Sequence, residues 1–151
     1  LATNYGVLLE FLSKQIPTSV SRPSNSHKND ITAKLSKQEA DNIIDKHFLY
    51  YETIKTYYRE RNSNPNALKK AIAACRNQIA LAPLTAKAFR KKWRGEPLPS
   101  HTGYKQLAII LEKQKKFQEA LALCKEALKA QWDGDWENRI KHLDKKIQNK
   151  H

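Results

Sequence analysis

The stretch Tyr104–Ala127, YKQLAIILEKQKKFQEALALCKEA, restricts this chain more than any other. Tyr104, Leu107, Ala108 and Leu111 repeat at helical spacing and share one face. Phe117, Ala120, Cys124 and Ala127 do the same on a second segment, and the polar run Lys113–Lys116 between them makes a turn. Small side chains at Ala108 and Ala120 let two backbones approach closely, while Tyr104, Leu111, Phe117 and Cys124 fill the space around that contact. The pattern predicts two antiparallel helices, so the chain is expected to be all-α.

An earlier stretch carries the same pattern. Tyr51-x2-Ile54 and Tyr58 correspond to Tyr104-x2-Leu107 and Leu111, Ala71-x3-Cys75 corresponds to Ala120-x3-Cys124, and Pro83 follows Cys75 by eight residues. Aromatic-x2-Leu-small-x2-large followed by Ala-x3-large resembles the tetratricopeptide repeat (TPR), a helix-turn-helix unit of about 34 residues. The copies differ in length. Tyr51 to Ala71 is 20 residues where Tyr104 to Ala120 is 16, which puts a longer turn around Asn62–Asn66. Ala71 to Ala120 is 49 residues, about 15 more than one repeat period; the excess is the insert 84–99, LTAKAFRKKWRGEPLP, read as a short helix through Trp93 broken by Gly95, Pro97 and Pro99.

The rest of the chain arranges itself around these hairpins, 36–82 and 100–130. Ser36-Lys37-Gln38-Glu39 has capping-box spacing and opens a long helix to about Asn62. On it Ile44, Phe48, Tyr51 and Tyr58 form the apolar stripe, Ile43, His47 and Ile54 widen it, and Tyr50 and Tyr57 lie at its edge. Asn64 and Pro65 start the next helix, which buries Leu68, Ala71, Ile72, Cys75 and Ile79. Ser100 is placed as the cap of the second hairpin. A capping helix, 135–148, carries Trp136, Ile140, Leu143 and Ile147 on one stripe and covers the last hairpin, as a solenoid end requires. The resemblance thus implies a TPR-like right-handed stack of antiparallel hairpins over 36–151, in a two-repeat member of the family. Ahead of it, 1–16 reads as an amphipathic helix with Tyr5, Leu8, Leu9 and Leu12 on one side, and 17–35 as a Pro- and Ser-rich linker. That helix is expected to fold back onto Ile43, Tyr50 and Tyr57, in the same chain or in a homodimer.

Chemistry is sparse. The chain has no Gly-rich phosphate loop, no paired His on a helix, no Cys-x2-Cys and no nucleophile elbow, so no enzyme activity, cofactor or metal is expected. Cys75 and Cys124 hold the same repeat position and read as core fillers. His47 reads as a buried imidazole beside the stripe, and His101 as a residue near an exposed cap. No apolar run reaches the roughly 20 residues that cross a bilayer, and the start lacks a secretory pattern, which points to a cytoplasmic protein without a membrane. Because the chain begins with Leu1 and holds no Met, a fragment or processed form is expected.

Two function classes remain. The resemblance implies a protein-interaction module whose concave face carries Leu49, Glu52, Thr56, Arg59 and Glu60 from the first hairpin and Thr102, Lys105, Ile109, Glu112 and Lys113 from the second. Lys105 fits one position of the carboxylate clamp of chaperone-binding members, but Ile109 stands where that clamp needs Asn, so a mixed-charge groove for a protein or peptide segment is expected instead. The second class starts from charge. The formal net charge is +13, and from Arg61 through Gly95 there is no Asp or Glu, while Arg61, Lys69, Lys70, Arg76, Lys87, Arg90, Lys91, Lys92 and Arg94 supply +9 of it. Such a field favours a polyanion, nucleic acid included, with Lys87, Arg90, Lys91 and Arg94 as its contacts; it equally fits a solvated basic face.

Overall fold

The structure is a computed structural model, and it describes residues 34–149. The expected helix 1–16 and nearly all of the linker 17–35 lie outside those residues. Among the described residues the fold is all-helical, six helices with one isolated bridge between Ser100 and Asp133. They are α1 (Lys37–Arg59), α2 (Ala67–Ala80), α3 (Ala82–Lys92), α4 (Thr102–Lys113), α5 (Phe117–Lys129) and α6 (Trp136–Asn149). α1 and α2 form one hairpin and α4 and α5 a second; α4 packs on α2 and α1, and α6 covers α5. No helix among the described residues is long and apolar enough to cross a membrane.

Local chemistry sets the helix ends. Ser36 caps α1, its Oγ accepting from the Glu39 amide at 3.1 Å. Leu35 and Ala40, which flank that cap, both belong to the core, as a hydrophobic staple places them. α2 starts at Ala67 after an Asx turn in which Asn64 Oδ1 accepts from the Asn66 amide at 3.0 Å. α4 and α5 both end in a six-to-one, five-to-two hydrogen-bond pair: Lys116 N to Leu111 O and Lys115 N to Glu112 O, then Trp132 N to Ala127 O and Gln131 N to Leu128 O. Their left-handed positions are Lys115 (φ 62°) and Gln131 (φ 70°), where glycine is the usual residue.

The second hairpin buries the face its spacing predicts: Tyr104, Leu107, Ala108, Leu111, Ala120, Cys124 and Ala127. The first differs. Tyr50 and Tyr57 are core residues rather than edge residues, whereas Phe48 is 47% exposed and Tyr51 and Tyr58 are half-buried. The cause is α3, which starts two residues before the expected insert. A single residue, Leu81, ends α2 and opens α3, because Pro83 has no amide to continue α2 and fits the first turn of a new helix. α3 then lays Ala82, Thr85, Ala86, Ala88 and Phe89 against α1, so α1 is covered from two directions and its buried face turns towards Tyr50. Tyr57 clusters with Ala67 and Ala71 of α2. Of the face that the first sixteen residues were expected to cover, Tyr50 and Tyr57 are buried and Ile43 is half-buried.

Candidate functional site

Where α2 meets α4, the interior is polar. Gln78 is 1% exposed; its Nε2 donates to the His47 carbonyl at 2.9 Å and its Oε1 accepts from the Gly103 amide at 2.6 Å. His101, also 1% exposed, is the actual cap of α4 in place of Ser100: its Nδ1 accepts from the Tyr104 amide at 3.1 Å. Two orphan amides of the first turn of α4 are thus satisfied by buried side chains. Because Nδ1 accepts, the proton of the neutral His101 ring is on Nε2. Gly103 is required by closeness, since a Cβ there would lie 2.8 Å from Gln78 Oε1 and 3.0 Å from the Cys75 carbonyl oxygen.

Trp132 closes this node. Its indole stacks on His47 with ring centroids 5.8 Å apart and meets His101 at 4.7 Å, while His47 also contacts Phe89 edge-on at 5.3 Å. Burial pulls His47 down to about 4 and His101 to about 3, the latter helped by its His47 neighbour. Both imidazoles are neutral at physiological pH, and neither is placed as an exposed acid or base. Burial likewise pushes the Cys75 thiol up to about 12 and raises that of Cys124, so both free cysteines are inert packing. Among the described residues no group of His, Cys, Asp and Glu could hold a metal ion.

The expected groove residues do not line one continuous trough. Thr102 and Lys105 open onto a cleft of about 450 Å³ whose other walls are Tyr51 and Lys55 of α1, the Asp133–Asp135 turn, and Trp136 and Arg139 of α6. From α1 this cleft takes Tyr51 and Lys55 rather than Glu52 and Thr56. Glu112 belongs to a cleft of about 260 Å³ between α4, α5 and α6, where its carboxylate lies 3.0 Å from His142 Nε2. Lys113 lines a third, of about 240 Å³, and donates to the Tyr58 hydroxyl at 3.0 Å. Glu52 and Arg59 are exposed along α1, and Leu49, Thr56, Glu60 and Ile109 are half-buried.

The basic run is divided as well. Arg61 sits 4.1 Å from the Tyr58 ring at the far end of α1. Lys91, Lys92 and Arg94 face the other end, lining with Lys37, Ala40 and Asp41 a cleft of about 520 Å³. Asp41 to Tyr58 spans 17 residues of helix, about 26 Å, so the nine cations make no single patch. Lys92 is tied to Asp41 at 2.9 Å and Arg90 to Gln131 at 3.3 Å. Lys91 and Arg94 are exposed, and Lys87 is half-buried. Lys37, which the sequence marks only as part of the capping box, completes the cleft because α3 folds back beside the start of α1.

Comparison with protein-family models, with curated proteins and with solved structures finds no match to this chain.

Proposed function

We propose that the chain is a non-catalytic, TPR-type interaction module of the cytoplasm that binds a segment of a protein partner in the 450 Å³ cleft. The observation that carries this reading is that cleft itself, in which α1, α4 and α6 contribute walls to one open surface. A right-handed stack of TPR-like hairpins would bring the first helix of each unit to such a face, and Cys75 and Cys124, both fully buried at equivalent positions, support the repeat. Lys55, Lys105 and Arg139 oppose Asp133 and Asp135 around the opening, a mixed rim suited to a segment carrying both signs of charge. Photo-crosslinking from position 105, with exposed Gln118 on α5 as the control position, tests the reading in cells of the source. A partner captured at 105 and lost on adding Arg139→Glu is the expected result. Equal capture from both positions, or capture that ignores the charge reversal, refutes the cleft as the site.

A second reading is favoured by the basic cleft between α1 and α3. Its rim of Lys37, Lys91, Lys92 and Arg94 against one paired carboxylate suits a polyanion bound without sequence selection.

A further inference from the structure

Next to the basic cleft stand two exposed aromatics that do not line it: Trp93 lies between the lining residues Lys92 and Arg94, and Phe48 shares with it a contact to Phe89. Phe48 and Trp93 are among the few large apolar side chains left exposed, at 47% and 37%, and both pack on the buried ring of Phe89. Trp93 stacks on it with centroids 5.0 Å apart and planes 26° from parallel, so one indole face is backed by protein. Phe48 meets Phe89 edge-on at 6.1 Å. The platform is rigid: Phe89 anchors α3, the Trp93 amide donates to the Phe89 carbonyl at 2.8 Å, and the Lys92–Asp41 and Arg90–Gln131 contacts hold the helix end on both sides. Lys37 on α1 lies in the same turn sequence as Asp41, and Phe48 follows Asp41 by seven residues, two helical turns along the same face.

We propose that this face binds single-stranded nucleic acid, with bases stacking on Trp93 and Phe48 while Lys37, Arg90, Lys91 and Arg94 take the phosphates. The proposal rests on the polyanion reading and specifies it. Duplex bases are stacked on one another and cannot reach a side-chain ring, whereas a single strand presents free base faces, and a cationic groove edged by aromatics is how such strands are held without regard to sequence. Charge also favours this occupant, since the one carboxylate in the cleft is already neutralised by Lys92.

The test uses the full chain and fluorescence anisotropy with four probes: an oligothymidylate of about 12 nucleotides, within the usual site sizes, an abasic strand with the same phosphates, a duplex and an oligoglutamate. Oligothymidylate should bind at least about fivefold more tightly than the abasic strand for each stacked base. Its log–log salt slope should be roughly −2.8, from four contacts at about −0.7 each. Trp93→Ala should weaken oligothymidylate about fivefold without changing the abasic affinity, Trp93→Ala with Phe48→Ala should bring it to the abasic level, and Trp93→Phe, which keeps a ring and reports on folding, should retain most of the binding. Lys91→Ala with Arg94→Ala should weaken both strands and flatten the slope. Equal affinity for thymidylate and abasic strands, or a duplex bound as tightly, overturns the stacking proposal and leaves the polyanion reading standing. No binding of any strand at low salt overturns both, and tighter binding of oligoglutamate than of oligothymidylate assigns the face to an acidic protein segment.

Discussion

Gln78→Leu tests whether the two hairpins are held together by the buried polar node. Leucine nearly conserves volume, so the change removes hydrogen bonds without opening a large cavity. The His47 carbonyl sits inside α1 and keeps its helical donor, so the cost falls mainly on Gly103. Its amide, bonded to Gln78 Oε1 at 2.6 Å, lies in the first turn of α4 and has no intrahelical acceptor. An orphaned buried amide costs about 1–3 kcal/mol and the lost hydrogen bonds about 1 kcal/mol net, which gives roughly 2–4 kcal/mol. At about 2.1 cal/mol/K per residue over the 116 residues from 34 to 149, that lowers Tm by about 8–16 °C. Urea unfolding should show a lower midpoint at unchanged slope. Gly103→Ala drives a Cβ to 2.8 Å from the same oxygen, so the double variant should lose less than the sum of the singles, with a coupling of about 0.5 kcal/mol or more. A loss under about 0.5 kcal/mol for Gln78→Leu, the scale of ordinary surface substitutions, would refute the bridging role.

Two further outcomes follow from the same interior and from the helix ends. His47 and His101 are held neutral, at about 4 and about 3 against about 6.5 when unfolded. Unfolding therefore takes up protons as pH falls below 6.5, and stability is full above that value and declines towards pH 4. At about 1.4 kcal/mol per unit for each group, the loss at pH 5 is about 4 kcal/mol from the pair. Urea midpoints at pH 7.5 and 5 measure it, and a flat profile would mean that the imidazoles are not buried. Lys115→Gly relieves a left-handed backbone at φ 62° and should raise stability by about 1 kcal/mol; calorimetry showing destabilisation would contradict the turn.

The second hairpin was legible because every contact within it is local: helical spacing names the buried face, and the turn length names the partner. Phe117 is half-buried, Gly103, Ile110 and Leu121 join the buried set, and the cap differs because an imidazole at His101 can accept an amide as well as the Ser100 hydroxyl could. The first hairpin was legible in its elements but not in its orientation. Aligning Tyr51 and Tyr58 with Tyr104 and Leu111 assumed that α1 meets the same neighbours as α4. It does not, because α3 packs on it. Thr53 can then be buried, its Oγ1 bonded to the Leu49 carbonyl at 2.8 Å. Gln78 and Trp132 escaped the reading for another reason. A glutamine on a stripe shared with Ala71, Ala74 and Cys75 signals a buried polar group, but its partners lie 31 and 25 residues away at His47 and Gly103, and local periodicity carries no such information. Of the expected sites, Lys105 and Thr102 were brought to one cleft and Lys91 and Arg94 to another; the helix-by-helix reading could not tell which of their neighbours would face them.

Both candidate surfaces depend on the segment that the repeat pattern treats as surplus. At its start, α3 packs Ala82, Thr85 and Ala86 into the core and turns α1 so that Phe48 faces outward. At its end Lys91 and Lys92 line the basic cleft together with Lys37. The chain beyond it returns through Leu98, which is buried, to Pro99, whose carbonyl accepts from the Asp133 amide at 3.1 Å. That contact fixes the Asp133–Asp135 turn beside Thr102 and so builds one wall of the cleft assigned to a protein partner. A bare pair of hairpins would lack that wall and the basic cleft alike. Changes within 82–99 should therefore alter both clefts, whereas Tyr104, Leu107, Ala108, Ala120 and Cys124 are taken up by the core.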